Sequence, residues 1–260
     1  SSAGYDASQI RLSVLRAKLE DALEVLADLV VRPTFPDDEM ERVRRERRAR
    51  VVQRADRPGA VADDAFIQVL YGDDHPYGAP LLGTVESLER ITRDDVVEFH
   101  GTRYRPGQAT LVVAGDVARE DLDPLLSDVF EGWSGPGQVP PELPAPSGAT
   151  GGSVYLVDKP GASQSEVRVG RVAVSRATDE YHTLTVMNTV LGGSFTSRLN
   201  MKLREEKGYT YGAGSFFDMR RANGPFEASA AVSTVSTDSA VRDFLSEIQR
   251  ISQEPVPEDE

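Results

Sequence analysis

Arg204 and Tyr211 are the residues best suited to chemistry, seven positions apart in Leu191-Gly-Gly-Ser-Phe-Thr-Ser-Arg-Leu-Asn-Met-Lys-Leu-Arg-Glu-Glu-Lys-Gly-Tyr-Thr-Tyr211. Ser194 or Thr196 can cap a short helix whose Phe195, Leu199 and Leu203 share one face, and Gly208 can end it in the left-handed conformation. A strand follows, with Tyr209, Tyr211, Ala213 and Ser215 expected on one side and Thr210, Gly212 and Gly214 leaving the other bare. Arg204 in the last helical turn and Tyr211 on the strand can then converge beyond the helix end. A guanidinium and a phenol so placed suit peptide carbonyls or a developing oxyanion. The same spacing also allows Arg204 to pair with a nearby carboxylate and Tyr211 to pack in a core.

Other chemistries find less support. The three histidines are His75, His100 and His182, and no two are four residues apart, so there is no H-x-x-E-H zinc helix. His75 lies among the turn-forming residues of Gly72-Asp-Asp-His-Pro-Tyr-Gly78 and reads as part of a loop, whereas His100 and His182 read as helix-face residues. Arg42, Arg44, Arg45, Arg47, Arg48 and Arg50 form a basic run, yet Glu39, Glu41 and Glu46 are interleaved with it at helical pairing distance. That pattern describes a solvated, ion-paired helix face rather than a nucleic-acid patch. No Gly-x-x-x-x-Gly-Lys-Ser/Thr phosphate loop is present.

The chain of 260 residues carries 42 acidic and 29 basic side chains, a formal net charge of -13. Such a chain repels phosphate backbones and anionic lipid. With 39% hydrophobic residues and no apolar stretch near the ~18 residues needed to span a bilayer, the composition is that of a folded globular protein. There is no cysteine, hence no disulfide framework or thiolate metal site. Ser1-Ser-Ala-Gly4 shows no secretory pattern and reads as a chain cut from something longer, with bacterial cytoplasm and periplasm both open as compartments.

Periodicity predicts helices over 12–31, 37–55, 60–70, 92–104 (opened by a Thr92/Asp95 capping box), 119–130, 178–191, 194–207 and 238–251. It predicts strands over 111–116, 154–157, 167–174, 209–217 and 226–232. Residues 134–152 are rich in Pro and Gly and read as a linker between domains at 1–133 and 153–260. The fold class expected is α+β, with mixed, largely antiparallel sheet and helices in two incomplete α/β domains.

The motifs Pro33-Thr-Phe-Pro36, Asp56-Arg-Pro58, Tyr71-Gly72, His75-Pro-Tyr-Gly78, Leu82-Gly-Thr84, Tyr104-Arg-Pro106, Val113-Ala-Gly-Asp116 and Leu191 to Tyr211 occur in one order. In that order the chain resembles the pitrilysin/insulinase family of zinc metallopeptidases, in the branch of the mitochondrial processing peptidase and its bacterial relatives. The resemblance implies paired α/β domains and two halves closing like a clamshell on a peptide that adds as a strand to a sheet edge. It implies that Arg204 and Tyr211 face the zinc of the opposite half and hold the substrate near the scissile bond, with Gly212, Gly214 and Ser215 along the peptide.

The zinc side of the resemblance breaks. Aligned without gaps from Phe35 to Pro58, the family's two glutamates on the charged helix fall on Val43 and Arg50. A three-residue shift gives Glu46 and Gln53 instead, and neither a guanidinium nor an amide is a good third zinc ligand. The expectation is a half that holds no cofactor and pairs with a zinc-bearing subunit or fused half, to act on a peptide substrate and not on nucleic acid. Two rivals are a non-proteolytic structural or binding homologue, and a self-sufficient zinc peptidase whose H-x-x-E-H lies upstream.

Overall fold

The computed structural model describes residues 1–148, 151–258 and 260. In chain order the first elements are β1 (Ser2–Ala3), β2 (Ser8–Gln9), α1 (Leu19–Val31), α2 (Asp37–Ala55), α3 (Pro58–Tyr71), α4 (Val85–Arg90), α5 (Arg93–Arg103) and α6 (Arg119–Val129). Then come β3 (Gln164–Val172), α7 (Tyr181–Asn188), α8 (Arg198–Asn200), β4 (Thr210–Phe217), β5 (Pro225–Ser233) and α9 (Thr237–Gln253). Helices and small antiparallel sheets make the fold α+β, as the sequence predicts. The chain forms two compact units, one from Ser1–Val51 with Leu82–Glu142 and the other from Val52–Leu81 with Leu143–Glu260.

In the first unit, α1 packs on α6 because Leu19, Leu23, Leu26 and Ala27 recur at helical spacing. They meet Leu122, Leu125, Leu126 and Val129. On α2 the predicted ion pairs are present: Arg42 reaches Glu39 at 2.7 Å and Glu46 at 2.6 Å, and Arg44 reaches Glu41 at 3.0 Å. The Thr92/Asp95 capping box opens α5, with each residue's side chain accepting from the other's backbone N–H. Residues 134–148 carry neither helix nor strand, and Ala149 and Thr150 of the expected linker lie outside the described residues.

Two expected strands do not form. Residues 111–114 and 154–157 are neither helix nor strand and Gly115-Asp116 form a bend, with Val112 83% and Leu156 93% exposed. An apolar run becomes a strand only when a neighbour takes its backbone N–H and C=O groups, and no strand lies beside either run among the described residues.

The second unit contains the antiparallel sheet β3-β5-β4, with β5 in the centre and β4 at an edge. Its core joins Val167 of β3 and Phe226, Ala228, Ala230 and Val232 of β5 to Leu191, Leu199, Leu203, Ala240 and Phe244. Helix α9 is strongly amphipathic and buries Ala240, Phe244 and Glu247. At the other side of the sheet, Arg168 of β3 sits between Asp63 of α3 at 2.9 Å, Glu166 at 3.1 Å and Glu227 of β5 at 3.2 Å.

Candidate functional site

The segment bearing Arg204 and Tyr211 departs from regular helix and strand in two ways. Helix α7 continues as a π-helical turn at Thr189–Gly193, and α8 continues as another at Met201–Glu206, in place of the uninterrupted helix expected over 194–207. Such widened turns concentrate at functional sites. Leu199 and Leu203, four residues apart, are fully buried and fix the second turn on the core. The turn ends as predicted at Gly208, whose φ of +64° suits a residue without Cβ. The last carbonyls are satisfied there, Arg204 by the N–H of Gly208 at 3.1 Å and Leu203 by that of Tyr209 at 2.9 Å.

The second departure is a bulge at the start of β4. Thr210 faces Val232 and Ala213 faces Ala230, so Tyr211 and Gly212 together stand opposite Ala231 alone. An extra residue of this kind re-aims a side chain. The alternation read from the sequence therefore fails here: Tyr209 and Ala213 pack against the core, whereas Tyr211 is 93% exposed. The bulge is held by the Thr210 hydroxyl, which accepts from Gly212 N–H at 3.1 Å and donates to Gly212 C=O at 2.9 Å.

Arg204 lies on the π turn packed against β4. Its guanidinium carbon stands 4.6 Å from the centroid of the Phe195 ring, and its Nε is 3.5 Å from Glu205, a neighbour it does not squarely face on a helix. Glu206 is engaged elsewhere. Lys202 at 2.9 Å and Lys207 at 3.3 Å hold its carboxyl below the usual carboxylate range. Of the two alternative fates, one is realised: Arg204 pairs with the Glu205 carboxylate at 3.5 Å, whereas Tyr211 is exposed and not packed in the core.

The other predicted peptide-facing positions divide. Gly212 is exposed on the bulge. Gly214 lies against the Gly192 carbonyl, and a Cβ added to Gly192 would stand 2.3 Å from Ser215 N, so the two chains approach as only glycine allows. Ser215 does not face outward: it is 6% exposed, donates to Asn188 Oδ1 at 2.7 Å, and its carbonyl accepts from Asn188 Nδ2 at 2.9 Å. On the same strand, Ala213 N–H donates to Asn200 Oδ1 at 3.2 Å. Two buried or half-buried asparagines thus engage edge groups of β4. Sequence reading missed both, although a polar Asn200 between Leu199 and Leu203 on the helix that fills the core was a visible signal.

The metal-side expectations concern α2. Val43 and Arg50 are both exposed there, and among the described residues no group of three or more His, Asp or Glu side chains could hold a metal ion. The histidines have other partners. His75 is buried and accepts from Tyr77 N–H through Nδ1 at 3.0 Å, between the rings of Tyr71 and Tyr77. His100 Nε2 bonds Val30 C=O at 2.8 Å and stacks on Tyr104. His182 is exposed on α7 beside Tyr181.

Comparison with known proteins gives this geometry a family. An uncharacterised zinc protease of Mycobacterium leprae is 32% identical over 219 residues, 84% of this chain and 49% of that protein. An uncharacterised zinc protease of Bacillus subtilis is 28% identical over 195 residues, 75% of this chain and 46% of the relative, so the chain spans about half the length of these curated relatives. The crystal structure of a peptidase M16 inactive domain from Pseudomonas fluorescens superposes with a TM-score of 0.85 at 27% identity, covering 93% of this chain and 58% of that one. The family profile described as peptidase M16 inactive domain matches residues 90–260, which include the π turns, the bulge and the whole three-stranded sheet, and the chain therefore belongs to the family of M16 peptidase inactive domains.

Proposed function

We propose that this chain is the zinc-less half of a zinc-dependent endopeptidase of the processing-peptidase type. It closes a chamber around a peptide and presents Arg204 and Tyr211 to a scissile bond held by a zinc-bearing half, either a separate subunit in a heterodimer or a fused segment. The division into peptidase-like domains at 1–133 and 153–260 belongs to the same proposal. One observation carries it: a bulge turns Tyr211 out of the core to 93% exposure, seven residues beyond a guanidinium seated on an aromatic ring.

In this reading the partner's zinc supplies the activation of water, as metal sites of this class do. The residues of this chain act on the substrate. Arg204 donates to a backbone carbonyl of the peptide and fixes its register, because a guanidinium offers five N–H donors and no acceptor. Tyr211 donates its phenolic proton to the oxygen on which negative charge grows. Gly212 leaves the strand bare beside it, and Gly214 and Ser215 seat that strand on the π turn. Removing one oxyanion donor costs about 100–1,000-fold in rate. Tyr211→Phe in the assembled enzyme is expected to lower kcat by about that factor on a quenched fluorescent peptide, and an unchanged kcat would remove Tyr211 from the mechanism.

A further inference from the structure

We infer that Asn200 is the positioning residue that sets Arg204 and Tyr211 in one geometry, an inference resting on the role proposed for that pair. Asn200 is 4% exposed and lies at the end of α8, immediately before the π turn that carries Arg204. Its amide is used at both ends. Nδ2 donates to Phe195 C=O at 2.6 Å, and Oδ1 accepts from Ala213 N–H at 3.2 Å. The first bond holds the loop whose ring lies under the Arg204 guanidinium at 4.6 Å. The second holds β4 at the residue where its register with β5 resumes after the bulge that exposes Tyr211.

A single side chain thus ties the platform of the cation to the strand of the phenol. Neither anchor substitutes for the other. The Ala213 N–H belongs to an edge strand, where a missing neighbour leaves backbone groups to water, and Asn200 takes the place such a neighbour would have. Phe195 is 65% exposed, so its ring depends on the loop backbone rather than on surrounding packing for its position. Loss of the amide frees both ends at once and lets the two functional groups drift independently.

Asn200→Ala and Asn200→Asp separate the two anchors, since Asp keeps the acceptor for Ala213 N–H but has no donor for Phe195 C=O. The intact gene product is studied alone and paired with its zinc-bearing relative. In Asn200→Ala, hydrogen exchange of the Ala213 amide is expected to rise roughly tenfold. The Arg204 guanidinium resonance is expected to lose the ring-current shift from Phe195 in both variants, while Asn200→Asp keeps the Ala213 protection.

In the assembled enzyme, a misplacement of about 1 Å costs about 100-fold, so kcat falls by that order with little change in KM. Asn200→Ala combined with Tyr211→Phe is expected to lose less than the product of the two single losses. Unchanged kcat in Asn200→Ala, or losses that multiply in full, would overturn the inference. If Tyr211→Phe and Arg204→Ala each leave hydrolysis unchanged, the catalytic reading fails first. The exchange and resonance data then decide whether Asn200 sets the geometry, and unchanged values in a folded Asn200→Ala protein reject it. Should that variant not fold, the Asp variant carries the test through the Arg204 resonance.

Discussion

Tyr211 and Glu227 show how residues of ordinary type acquire unusual surroundings in one sheet. Tyr211 owes its exposure to one extra residue in β4, without which its side chain would share the inward direction of Tyr209 and Ala213. Glu227 is the opposite case, a carboxylate on the central strand with 7% exposure. Burial pushes its pKa up, the attraction of Arg168 from β3 pulls it down, and Asp63 of α3 and Asp218 after β4 raise it again. The net direction is upward from 4.5, so the folded state holds this proton to higher pH than the unfolded chain does. Stability from this group is therefore present in mild acid and is lost as pH rises through the folded pKa. Thermal unfolding of the native protein and of Glu227→Gln, followed from pH 7.5 down to pH 5, tests the sign. The native protein is expected to gain stability relative to the variant as pH falls, and a relative loss would reverse the assignment.

At the scale of elements, close approach of backbones governs the site. The π turn at Thr189–Gly193 lies on β4 through Gly192, where any Cβ would press on the backbone of Gly214 and Ser215 as well as on the buried Ser215 hydroxyl. Gly192→Ala is expected to cost about 1–3 kcal/mol, read as a lower denaturant midpoint with an unchanged slope. A midpoint equal to that of the native protein would mean the strand can retreat. Elements with a strong local signal were legible in the sequence: α1 and α9 from their apolar spacing, α5 from Thr92 and Asp95, the helix end from Gly208. What was not legible depends on partners distant in sequence. Period-two alternation cannot foresee a bulge, because the extra residue is defined against β5. Nor can an apolar run such as Leu111 to Val113 announce whether a strand will lie beside it. The π turns escaped for a related reason, since 3.6-residue spacing of Leu199 and Leu203 fits either kind of helix.

At the scale of the molecule, the family of M16 peptidase inactive domains brings together features that separately mean little. A chain of net charge -13, exposed Val43 and Arg50 on an ion-paired helix, and the Arg204/Tyr211 segment are the features on which the proposed division of labour between two halves rests. The relatives of which this chain matches about half are named zinc proteases. The most direct test of that division is hydrolysis of a quenched fluorescent peptide by the zinc-bearing relative, measured with and without the intact gene product containing this chain. The proposal predicts turnover when both are present and little from either one alone. Equal turnover by the relative in the absence of this protein would contradict it.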